Sequence, residues 1–227
     1  MPEHEKRELA ELQEQETRLA LNAFTSSTVW DLGCTLRALA VRDYPEQAAY
    51  ISITHASGTP LFLAHTSDSV SPAYAAEADA MLASVKRWQI SSWRRQRLLM
   101  LGERSADYEK AEARAAEYSL KGGGWPIRVR GIVGVVAVVV VLGLYPVATE
   151  NKTFGKDNLK GLNPLKYDRQ IDVNHELVVK ALELVLEKQQ QGPVDDVGFY
   201  RNPKIGLKPP PSPTATVHSK TPSIFGL

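Results

Sequence analysis

Three consecutive glycines, Gly122, Gly123 and Gly124, lead directly into Trp125 and Pro126, and here the sequence concentrates its backbone chemistry. Without β-carbons such a run can adopt positive φ and let a ligand or another stretch of backbone come close. Its exposed N–H groups could hold an anion. No Gly-Lys-Ser/Thr follows, so this is not a phosphate-binding P-loop, and the GxGxxG spacing is absent. On spacing alone the run reads first as a helix stop with a tight turn into a strand, and only second as a ligand cradle.

His175 stands at the first turn of the last helix, a good place for a ligating or hydrogen-bonding group, although a helix N-terminus disfavours its protonated form. The other histidines, His4, His55, His65 and His218, share no zinc spacing with it, and one cysteine cannot complete a metal set, so no metal site is expected. Cys34 falls mid-helix and reads as a buried, inert thiol. No serine sits in a GxSxG elbow and no carboxylate pair is locally placed for acid–base work, which argues against common hydrolase or dehydrogenase chemistry. Lys86, Arg87, Arg94, Arg95 and Arg97, interleaved with Trp88 and Trp93, form a basic aromatic cluster. It reads first as a solvated helix face. Phosphate, a haem propionate or an acidic partner helix would suit it, and single-stranded nucleic acid is a further reading.

These residues must be positioned by a small set of elements. Residues 2–20 read as a charged helix whose thin stripe of Leu9, Leu12 and Leu19 is interrupted by Glu16, lying on the domain or serving an oligomer contact. A second helix spans Ser27 to Asp43, capped by Ser26 or Ser27, with Val29, Leu32, Leu36 and Leu39 on one face. Ala49–His55 and Leu61–His65 alternate around a Ser-Gly-Thr-Pro turn as a hairpin, with Phe62 opposite His55 and Ser52 opposite His65. Tyr74, Ala78, Met81, Val85 and Trp88 then fall at spacings of four and three on an amphipathic helix opened by Ser71-Pro72. Helical stretches are expected over 93–101 and 105–118. After the glycine run, Pro126–Arg130 and the valine-rich 132–145 segment form a second hairpin, the latter a buried central strand because β-branched residues favour strands. That apolar segment is shorter than the roughly 20 residues a membrane helix needs. A last helix starts near Asn174 as its N-cap, with Val178, Ala181, Leu182 and Val185 facing inward.

Hydrophobic residues make up 43% of the 227-residue chain, enough for a sizeable core, and the net charge of +1 gives no global field toward nucleic acid or an anionic membrane. A single cysteine and a charged N-terminal stretch without an apolar segment fit a cytoplasmic protein. The expected organisation is a charged helix over 1–22, a domain over 23–191 with a long polar insertion at about 146–172, and a disordered Pro-rich tail over 192–227 containing LKPPPSPT.

The stretch AEYSLKGGGWPIRVRGIVGVVAV (116–138) resembles the Gly-Gly-x-(aromatic or Leu)-Pro-Ile-x-Val signature of the GlcG/HbpS-like family, often labelled haem-degrading. VWDLGCTLRALA (29–40), SGTPLF (57–62), VKRWQISS (85–92) and NHELVVKAL (174–182) are similar, in the same order, to segments of its cytosolic branch. The resemblance covers about 24–190. It implies an α+β fold, an antiparallel β-sheet flanked by helices in a profilin/PAS-like α-β-α sandwich. It also implies homo-oligomers and, in some members, binding of haem or related tetrapyrroles. This sequence departs from the pattern by its long 146–172 segment, by Asn174 in an acidic position, and by its tail.

The reading that follows is a non-enzymatic homo-oligomer holding a small aromatic or tetrapyrrole-like ligand, with haem as the candidate cofactor and His175 its candidate ligand. Gly122, Gly123 and Gly124 would take an anionic group and Trp125, ahead of Pro126, would stack, with Lys86, Arg87 and Trp88 alongside. A protein-interaction scaffold presenting the Pro-rich tail to a partner, and an atypical lyase- or isomerase-like enzyme, are the competing readings. Neither nucleic acid nor membrane is an expected partner.

Overall fold

The computed structural model describes residues 3–101, 114, 117–119, 121–146 and 172–191. The expected helix over 105–118, nearly all of the expected 146–172 insertion and the tail from 192 lie outside the described residues.

Nine elements are described: α1 (Glu3–Arg18), α2 (Ser26–Asp43), β1 (Tyr50–His55), β2 (Pro60–His65), α3 (Ala73–Trp88), α4 (Ser92–Leu101), β3 (Gly124–Ile127), β4 (Ala137–Leu142) and α5 (Val173–Gln190). The four strands form one antiparallel sheet in the order β2-β1-β4-β3. This is the expected α+β architecture. The alternation of side chains along each strand sends two apolar sets to opposite faces. Ile51, Ile53, Val139, Val141, Trp125 and Ile127 join α2 and α5 in the larger core, whereas Val138, Val140 and Leu142 meet Ala78, Met81 and Val85 of α3. Burying each Val, Ile or Leu in this way stabilises by ~1.5–3 kcal/mol, so the sheet is held from both faces. β4 is buried at all six positions, as its run of valines requires of a central strand.

Local chemistry revises several boundaries. The N-cap of α2 is Thr25, whose hydroxyl accepts from the Thr28 N–H, rather than Ser26 or Ser27. Cys34 is exposed, not buried, because Leu32, Leu36 and Leu39 claim the inner face and leave position 34 outside. The first hairpin pairs Tyr50 with His65 and Ile53 with Phe62, two residues from the expected register, because the turn closes between His55 and Thr59, and a bulge between Ile53 and Thr54 recovers only one residue. His55 and His65 are exposed at different heights of the sheet, and among the described residues no group of acids, His and Cys is placed to hold a metal. The second hairpin is wider than a tight turn at Arg130-Gly131. Ile132 and Val133 are solvent-exposed and the strand begins at Ala137. β3 starts at Gly124, and its continuation, Arg128 to Arg130, is bridged by Leu21. The cap of α5 is Asp172, not Asn174. The Asn174 carboxamide instead spans both backbone groups of Leu144, at 3.1 and 3.0 Å, tying the end of β4 to the start of α5. No helix among the described residues is long and apolar enough to cross a membrane.

Candidate functional site

The glycine run is turned inward. Gly123 adopts φ +107°, and a β-carbon there would meet the Val141 carbonyl, so the position needs glycine twice over. A β-carbon on Gly122 would fall inside the Asp172 carboxylate. Two of the three glycine amides are engaged within the chain: Gly122 N–H donates to Asp172 and Gly124 N–H to the Ser92 hydroxyl at 2.8 Å. The carboxyl group that the glycine bend holds is therefore the chain's own Asp172. Burial pushes its carboxyl up, opposed by the N–H groups of His175, Asn174 and Gly122. Held there, Asp172 caps α5 through the His175 N–H at 3.0 Å and fixes that helix's first turn.

The fixed turn delivers His175 onto Trp125. The rings stand 5.2 Å apart, and Trp93 from α4 lies 6.5 Å away on another side. The imidazole is 4% exposed, and burial drives its pKa down to about 4, so it is neutral at physiological pH. Nε2 lies 2.9 Å from the Gln15 carboxamide oxygen. That oxygen can only accept, so Nε2 carries the proton and Nδ1 keeps a bare lone pair. Nδ1 is buried with no hydrogen-bond partner.

Arg94 and Arg97 lie beside Trp93 on the same helix. Arg97 is gripped by both oxygens of Glu8 at 2.6 and 2.7 Å. Arg94 meets Glu16 at 3.1 Å and Gln13 at 2.7 Å. Glu16 also accepts the Ser91 N–H at 2.8 Å and is buried. The acidic partner helix that would suit the basic cluster is thus α1 of the same chain. Arg95 turns elsewhere. Its guanidinium stacks 3.1 Å from the centre of Trp88, without a carboxylate among the described residues, and burial lowers its pKa to about 10.

The expected site residues accordingly separate. The structure brings Gly122, Gly123, Gly124, Trp125 and His175 together, with Pro126 continuing β3, all of them buried. Lys86 and Arg87 are exposed at the end of α3, which packs on the other face of the sheet, and Trp88 pairs with Arg95 and Tyr118 rather than with His175. Sequence reasoning passed over Gln15, Glu8, Glu16 and Asp172. Glu16 carried a signal, as an acid interrupting an apolar stripe, but nothing in the sequence joins it to residues some 75 positions away.

The family model described as "Haem degrading protein HbpS-like" matches residues 24–153, which hold the whole sheet and Trp125, with α1 and α5 on either side. A UPF0303 protein of Streptomyces coelicolor is 34% identical over 146 residues, spanning 60% of this chain and 82% of that protein. A UPF0303 protein of Brucella melitensis biotype 1 is 32% identical over 146 residues, spanning 61% and 79%. The crystal structure of the Ybr137w protein superposes with a TM-score of 0.61 at 20% identity, covering 78% of this chain and 87% of that chain, so the two share a fold.

Proposed function

From the premise that this chain belongs to the HbpS-like family, we propose that it is a non-enzymatic binding protein for a planar tetrapyrrole of the haem class, working as a homo-oligomer. One observation carries the reading: a neutral, buried imidazole with an unpartnered nitrogen, held near two indole rings, one of which belongs to the helix that carries Arg94 and Arg97. The donor set fits such a ligand. His175 offers a lone pair to a metal centre, Trp93 and Trp125 offer apolar faces, and Arg94 and Arg97 offer forked donors for propionate groups. The glycine bend acts at one remove, because its amides hold Asp172 and Asp172 sets the orientation of His175. Lys86, Arg87 and Trp88 take no part in this site.

Self-association is supported by the free edge of the sheet. β2 has no outer neighbour among the described strands. Leu61 and Leu63 are exposed on one of its faces, while on the other Phe62 meets a Trp30 that is 65% exposed. An edge that is apolar on both faces calls for a cover.

The binding reading is tested by titrating haemin into the purified full chain and following the Soret band. A shifted band is expected in the wild type, strongly weakened in His175→Gln and in Trp93→Ala, with circular dichroism confirming that both variants fold. No shift in the wild type, or equal shifts in all three proteins, would remove the site.

A further inference from the structure

Resting on that site, we propose that α1 is a displaceable lid that occupies the ligand's place with its own side chains, Glu8 and Glu16 standing on Arg97 and Arg94 where the acid groups of a planar dicarboxylic ligand bind. Charge complementarity is the first support. α1 carries six glutamates against three basic residues, while α4 carries three arginines and no acid. The contacts that dock α1 on α4 and on the start of α5 are polar: Glu8 on Arg97, Gln13 and Glu16 on Arg94, Glu16 on the Ser91 N–H, and Gln15 on His175. An arginine fork accepts a carboxylate in the same way from a helix or from a small molecule.

The hold of α1 is also uneven along its length. Leu9 and Leu12 are only partly buried, and neither joins the buried core. Just beyond the helix, Leu19 and Leu21 are fully enclosed, and Leu21 is hydrogen-bonded on both sides to Arg128 and Arg130. The helix is therefore anchored at its C-terminal end and held along its shaft by ion pairs, the arrangement of a hinged flap. Two buried atoms beneath it remain unsatisfied, Arg94 Nε and His175 Nδ1. An occupant that leaves a donor and a bare acceptor unmet is one that a better-matched ligand displaces.

The test uses the full chain and the double variant Glu8→Gln/Glu16→Gln, which keeps size and hydrogen-bonding capacity while removing both charges. Amide hydrogen exchange read by mass spectrometry should show α1 losing protection in the variant, and in the wild type between about 0.1 M and 1 M salt, while β1, β4 and α2 stay protected. Exchange of α1 only together with the sheet, in both proteins, would overturn the lid. Haemin should bind the variant about tenfold more tightly than the wild type, since the competent open form is more populated, and should deprotect α1 in the wild type. Protoporphyrin IX should compete, whereas its dimethyl ester should not. Equal or weaker haemin binding by the variant, or an ester that competes as well as the free acid, would overturn the competition. If haemin binds neither protein, the proposed tetrapyrrole function falls, and the exchange measurement still decides the lid.

Discussion

His175 stands where electrostatics, packing and the candidate chemistry meet. Burial depresses its pKa to about 4, against about 6.5 in an unfolded chain. Between those values the unfolded state binds more protons, so folding stability falls as the pH drops through this window. The full difference is on the order of 3 kcal/mol. Asp172 acts in the opposite sense. Its raised carboxyl takes up a proton earlier in the folded state than in the unfolded one and offsets part of the loss. Denaturant midpoints at pH 7 and pH 4.5 should therefore fall more steeply for the wild type than for His175→Gln. Parallel losses in the two proteins would separate this ring from the acid response. The neutrality that costs stability in acid is also what keeps the imidazole nitrogen able to donate to a metal at neutral pH.

At the scale of elements, the glycine bend is a joint between β3, β4 and α5. Gly123 brings its backbone against β4, where the Val141 N–H donates to the Gly123 carbonyl at 3.0 Å, and the same turn presents Gly122 to the cap of α5. Gly123→Ala places a side chain at positive φ and against a backbone carbonyl, neither of which can yield. A loss of roughly 2 kcal/mol or more is expected, read as a fall in the midpoint of thermal unfolding. An unchanged midpoint would mean that the bend relaxes freely and does not fix α5. The ion pairs of α1 belong to another regime. Those at its outer surface, such as Arg7 with Glu11, are solvated and contribute little. The Glu16–Arg94 pair is largely shielded from water, so removing one partner strands the other, whereas Glu8 keeps 35% of its side chain exposed on a buried Arg97.

At the scale of the whole molecule, the described residues cover the sheet on two faces and at the β3 side, where Leu21 bridges Val129, and β2 has no outer neighbour among them. Trp30, Leu61 and Leu63 around that edge exceed the scattered exposure ordinary on a monomer surface. Leu63→Lys is expected to lower the mass measured by light scattering to that of the single chain, since lysine on an edge strand opposes pairing. The same mass in variant and wild type would place the subunit contact elsewhere.

Much of this fold was legible in the residues because periodicity is local. The spacing from Tyr74 to Val85 identified the helix on one face of the sheet, and the valine run identified the central strand, since a strand buried on both faces cannot alternate with polar residues. Proline, glycine and serine marked the turns, although the first turn closes at His55 and Thr59 and so moves the register, and a wide loop shortened the second strand. The candidate site was legible only in its parts. His175 and Trp125 could be singled out as residue types, but their junction passes through Asp172, and their cover comes from the opposite end of the domain. What the sequence determined by itself was the apolar inward face of α2, α3 and α5 and the burial of β4. What only the tertiary structure decided was which charges neutralise one another, because ion pairing between α1 and α4 depends on distance in space and leaves no period in the chain.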